Sequence, residues 1–132
     1  MTYQQWYDSF GEKHNKIVKK LSALSDDEII KYFDYENMKQ KESDFCPLYK
    51  KNKKCHNIEN LNCYFCGCPY FRVGEKKSWC SIDAKDGSTI KAKDGYIHQN
   101  CSNCTIPHKT KFIKQNFHKH WKIIMKNTIG NI

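Results

Sequence analysis

Near the start of the chain, apolar residues recur at helical spacing. Tyr3, Trp6, Tyr7, Phe10, Ile17, Val18 and Leu21 share one side, while Lys13, Lys16, Lys19 and Lys20 fall largely on others. The pattern predicts an amphipathic helix. A second helix is expected to open at Ser25-Asp26-Asp27-Glu28. There Ser25 caps free amides, Glu28 reaches back to complete a capping box, and the aspartates face the positive end of the helix dipole. Ile29, Ile30, Tyr32 and Phe33 supply its apolar face, and it should run to about Lys39. The helical period returns from Thr110, where Phe112, Ile113, Phe117, Trp121, Ile124 and Met125 line one side of a single C-terminal helix, with His118 and His120 on its exposed or edge face.

Between these helices the pattern changes. Residues 44–109 carry short apolar stretches broken by Gly, Pro, Asn and Asp, and all eight cysteines. Asp86-Gly87 and Asp94-Gly95 favour tight hairpin turns around a short strand near Ser88 to Ala92. The expected fold is a small, metal-stabilised, loop-rich α+β unit. Two N-terminal helices (1–43) lead into a cysteine-rich core with short β-hairpins (44–109), and one C-terminal helix (110–132) packs on it.

A chain of 132 residues buries a modest share of its surface, so cross-links matter to it. The start of the sequence has no signal-peptide pattern and no segment is apolar over the roughly 20 residues that span a bilayer, so the cytoplasm is the expected compartment and no membrane partner is expected. In that compartment thiols stay reduced, and a dense cysteine set reads as metal ligands rather than disulfides. The formal charge of +9 suggests an anionic partner, but two divalent ions held by eight thiolates would lower it to about +5. The basic residues are also nearly all lysine. Arg72 is the sole arginine, which disfavours a sequence-specific nucleic-acid reader and leaves weak electrostatic contact with RNA.

Two cysteines separated by two residues can turn both sulfurs toward one ion. Cys63–Cys66 and Cys101–Cys104 both have that spacing and together offer four thiolates, although the 34 residues between them exceed the roughly 15–20 of zinc ribbons. Cys68 follows Cys66 too closely to join its knuckle comfortably, and Gly67 allows a turn that sends it to a second ion. The expected partition is Cys63, Cys66, Cys101 and Cys104 at one site, and Cys46, Cys55, Cys68 and Cys80 at the other. His56 and His108 are reserve ligands or partners that orient the ligands. Two zinc ions are the expected occupants. The alternative is an iron–sulfur cluster, which also takes four thiolates, but the intervals of two and one before Pro69 do not match the bacterial ferredoxin run.

Other chemistries fit less well. A zinc deaminase needs His-x-Glu and Pro-Cys-x-x-Cys; here Glu59 lies one place too far from His56, and Asn62 stands where proline belongs. No βαβ pattern surrounds either Cys-x-x-Cys pair, as a thioredoxin-like site requires. The stretch from Tyr49 to His56 reads first as a solvated lysine-rich loop and second as an RNA patch, and Tyr64, Phe65, Tyr70 and Phe71 read as covers over metal sites rather than base-stacking platforms.

From Asp44 onward the motifs resemble the cysteine-rich small domain, a probable metal-binding family of bacteria and archaea. The residues that carry the resemblance are "FCPLY" with Cys46, Cys55-His56, "LNCYFCGCPYF" from Leu61 to Phe71, Cys80, "CSNC" from Cys101 to Cys104, and "IPH" at Ile106 to His108. The preceding helices resemble an extension of epsilonproteobacterial members. The resemblance implies metal binding through the eight cysteines, with His56 and His108 close by, and implies no reaction. The expected function is therefore a metal-binding adaptor module with a protein partner. An iron–sulfur redox protein and a zinc-dependent nucleic-acid-binding module are the alternatives. No nucleophile–base pair or phosphate loop argues for an enzyme.

Overall fold

The computed structural model describes residues 2–128. Helix α1 (Tyr3–Lys20) starts at a capping box in which Thr2 accepts from the Gln5 amide and Gln5 reaches back to Thr2. Helix α2 (Asp26–Tyr32) starts at the expected Ser25/Glu28 box. It ends earlier than the periodicity predicts. The chain breaks at Phe33-Asp34, where Asp34 forms a β-bridge with Asn62, and resumes as α3 (Tyr35–Lys41). A one-turn helix α4 (Pro47–Lys50) follows, with Pro47 in the first turn, where its missing amide hydrogen costs no bond.

The middle of the chain forms two antiparallel hairpins, β1–β2 (Phe71–Val73, Ser78–Cys80) and β3–β4 (Ser88–Lys91, Ile97–Asn100). Gly95 takes a positive φ of 89° in the second turn, the left-handed conformation that an Asp-Gly hairpin turn exploits. The hairpins are joined edge to edge, since the Gln99 amide donates to Ser78 Oγ at 2.7 Å and Lys77 bridges Ile97. This contact sets Cys80 beside the end of β4.

The single C-terminal helix is replaced by a 3₁₀ turn at Ile106–His108, α5 (Thr110–Gln115) and α6 (Trp121–Ile124). Tertiary bonds take over from helical ones at the break. Tyr64 Oη donates to the His118 carbonyl at 2.6 Å, and the Trp121 amide donates to Asn15 Oδ1 at 3.1 Å. His118 and His120 are exposed in this linker, with His120 capping α6. The part of the expected helix at 129–132 lies outside the described residues.

A continuous apolar core draws on all three segments: Ile17, Ile29, Phe33 and Met38 from the first, Phe45, Tyr64 and Phe65 from the second, and Ile113, Trp121 and Met125 from the third. Tyr64 and Phe65, between Cys63 and Cys66, are fully buried members of this core. His14 sits inside this core, fully buried, with Nε2–H donating to the Tyr64 carbonyl at 3.2 Å and Nδ1 without a partner. Burial is the main cause that lowers its pKa to about 4, with the nearby His120 adding a smaller push. The unfolded chain protonates His14 below its ordinary value near 6.5, while the folded chain resists until about 4. Stability from this residue is therefore complete above pH 6.5 and is lost as the pH falls toward 4, by roughly 3 kcal/mol. Denaturant unfolding at pH 7 and pH 4.5 should show a smaller acid loss for His14→Gln than for the parent chain. Equal losses would remove His14 from the account.

Candidate metal centre

All eight cysteines are free thiols. The junction between α2 and α3 fixes the central pair. The Cys63 amide donates to the Phe33 carbonyl at 2.8 Å and the Tyr35 amide to the Leu61 carbonyl at 3.0 Å. Asn62 locks this junction from within. Its fully buried side chain donates to the Ile30 carbonyl and Asp34 Oδ1 and accepts from the Tyr64 amide. Its backbone receives His108 Nδ1–H at 2.8 Å.

On this side Cys46 at the start of α4, Cys55 beyond the lysine-rich loop, Cys63 and Cys66 are electrostatic neighbours, although their sulfurs do not converge into a ligand-type group of three or more among the described residues. Burial, then the nearby Cys63, Cys46 and Cys55, push the Cys66 thiol well above its ordinary range. Cys66 is exposed as a residue and borders an open cavity, while burial remains the largest cause of its raised pKa. Cys63 is pushed up to about 12, mainly by burial and further by Cys55 and Cys46, with Tyr49 opposing. Tyr49 Oη is buried and has no partner of regular hydrogen-bond geometry, although the Cys63 sulfur is near enough to interact with it. A thiolate at Cys63 would accept that hydroxyl far better than a thiol does.

The other four cysteines, Cys68, Cys80, Cys101 and Cys104, line a small, wholly apolar cavity of about 30 Å³ between the hairpins and the 3₁₀ turn. Cys68 is raised to about 12, chiefly by burial and then by Cys101, Cys80 and Cys104, while the Tyr70 amide donates to its sulfur at 3.4 Å. Burial, Cys104 and Cys80 raise Cys101 as well. Neighbouring thiols thus add to burial in holding Cys63, Cys66, Cys68 and Cys101 protonated, and a divalent cation would reverse that sign.

The sequence-based partition differs from this grouping. Cys63 and Cys66 stay together, as do Cys101 and Cys104, but the two pairs face different sets. Cys46 and Cys55 accompany the first pair, and Cys68 and Cys80 the second. Gly67, between Cys66 and Cys68, is required by close packing, since a Cβ there would lie 2.5 Å from Trp121 Cη2. The sequence marks Tyr49 only as the start of the lysine-rich stretch and Asn62 only as the residue in a deaminase proline position, not as parts of this site. Neither belongs to a periodic face or a ligand spacing, and only the fold reveals what they touch.

The tightest ligand-type group among the described residues is Cys55, His56 and His108, whose donor atoms all lie within 4.8 Å of one another. His56 Nδ1 is 3.1 Å from Cys55 Sγ and His108 Nε2 is 3.7 Å from it. Beside them lies a solvent-open cavity of about 440 Å³, walled by Trp6, Phe71, His56, Cys66, Cys104 and His108. The Lys50–Lys54 loop above is exposed, with Lys50 paired to Asp44 and Lys54 donating to the Ile58 and Glu59 carbonyls. The one arginine, Arg72, is spent on the Pro69 and Phe71 carbonyls.

Fold and site together define a small, cysteine-rich α+β protein with one converged Cys/His group, and no helix of the described residues is long and apolar enough to cross a membrane. No protein-family model, curated protein or solved structure matches the chain.

Proposed function

We propose that this protein binds two metal ions through its eight cysteines and acts as a small binding or adaptor module whose fold the ions complete. Zinc is the proposed ion. One centre takes Cys46, Cys55, Cys63 and Cys66, and the other Cys68, Cys80, Cys101 and Cys104. The observation that carries this reading is that Cys68, Cys80, Cys101 and Cys104 all line one small cavity between the hairpins and the 3₁₀ turn. The unpartnered Tyr49 hydroxyl beside Cys63 supports the first centre, because a metal-bound thiolate gives it an acceptor. Zinc would supply a closed tetrahedral tie between distant segments and no reaction of its own. Membership of the cysteine-rich small domain family and a cytoplasmic location, where thiols stay reduced, belong to the same proposal.

Paired substitutions test the grouping. Cys63→Ser with Cys66→Ser strikes one centre and should leave about one zinc per chain. Cys63→Ser with Cys101→Ser strikes both and should leave none bound tightly. If the second pair also leaves one zinc, the sequence-based partition is right and the grouping proposed here is wrong.

A further inference from the structure

On the two-centre reading, four thiolates would fill the coordination of one tetrahedral ion at the first centre, yet two imidazoles also face Cys55. Their tautomers follow from their other contacts. A backbone carbonyl only accepts, so His108 Nδ1 carries the proton it donates to the Asn62 carbonyl at 2.8 Å, and His56 Nε2 carries the one it donates to the Cys101 carbonyl at 3.0 Å. In the neutral rings, His108 Nε2 and His56 Nδ1 then present lone pairs to the same sulfur. Two lone pairs cannot donate to a Cys55 thiolate, so as neutral rings they are not its hydrogen-bonding support. Donation from the far ring nitrogen to a carbonyl is instead the arrangement of metal-binding histidines.

We propose that Cys55 Sγ, His56 Nδ1 and His108 Nε2 form a separate, exchangeable site for a divalent transition ion, with the Cys55 thiolate shared with the first centre. Borderline ions such as zinc and cobalt(II) suit one sulfur and two imidazole nitrogens. Four thiolates around one divalent ion leave a formal charge of about −2, which draws a second cation to this edge. The three donors leave a fourth position for water or a small donor molecule. The neighbouring 440 Å³ cavity, open to solvent and lined by both histidines, gives the ion its way in and out. This site rests on the two-centre reading for its shared thiolate but not for its imidazoles.

The test is a cobalt(II) titration of the full chain preloaded with two zinc ions, followed by visible absorption. One further equivalent should bind with a tetrahedral spectrum and a thiolate-to-cobalt charge-transfer band, and free imidazole should shift that spectrum by entering the fourth position. His56→Ala, at a half-buried position, should weaken cobalt binding at least tenfold while both zinc ions stay bound; His108→Gln should do the same. No cobalt binding, equal binding by His56→Ala, or loss of a tight zinc ion in the histidine variants would each overturn the proposal. If the chain holds no tight zinc at all, the two-centre reading fails, and His56-dependent cobalt binding still decides this one.

Discussion

Replacing Trp121 with alanine is expected to lower folding stability by about 3–5 kcal/mol, the largest loss of any single core substitution in this chain. Trp121 is fully buried and joins segments that are remote in sequence. Its indole Nε1–H donates to the Tyr7 carbonyl at 3.1 Å, and its ring packs against Trp6, Phe10 and His14 of α1. Two glycines make room for it: a Cβ on Gly11 would lie 2.3 Å from Trp121 Cδ1, and one on Gly67 2.5 Å from Cη2. Alanine at 121 thus empties a space shaped from three sides and leaves the Tyr7 carbonyl without its donor. Chemical denaturation should show the midpoint fall accordingly, with a melting temperature lower by roughly 10–20 °C. A loss under about 1 kcal/mol would mean that α6 does not dock as described.

On the two-centre reading, removal of the ions is the second large effect. Residues 44–109 contribute short hairpins and turns, and in that reading the ions tie them together in place of a larger apolar core. Metal binding and folding are coupled where the ligands meet only in the folded chain. A strong chelator should therefore abolish ordered structure in the hairpin region and lower overall stability by several kcal/mol. The apolar core around α1, Tyr64 and Trp121 is substantial, so partial helical circular dichroism should survive. Binding should also release protons, because burial and mutual repulsion hold thiols such as Cys63 and Cys68 protonated at neutral pH. Zinc affinity should consequently fall as the pH is lowered. A chelated protein with unchanged hairpin amide protection and melting temperature would contradict the coupling.

The local signals in the sequence were legible where local forces decide. The Ser25 box starts α2, the α1 stripe faces the core, and Asp94-Gly95 turns the β3–β4 hairpin. The two helix breaks were not legible, because partners distant in sequence cause them. Asn62 holds Asp34 out of a continuous α2–α3 helix, and Tyr64 and Asn15 take the backbone groups that would have joined α5 to α6. The apolar positions remain periodic through both breaks, which is why periodicity alone overruns them. The site behaves likewise. Cys-x-x-Cys spacing marks each close pair, whereas the proposed grouping of those pairs with Cys46 or Cys80 rests on the junction at Asn62 and the edge contact between hairpins. The imidazole pair was visible only as two histidines near cysteines, since its meaning lies in the carbonyls of Asn62 and Cys101 that orient it.

The most direct test of the account is the metal and acid-labile sulfide content per chain, measured on protein purified anaerobically without a metal-binding tag. Two tightly held zinc ions and no sulfide are predicted. Iron with stoichiometric sulfide, or a folded chain that holds no metal, would contradict it.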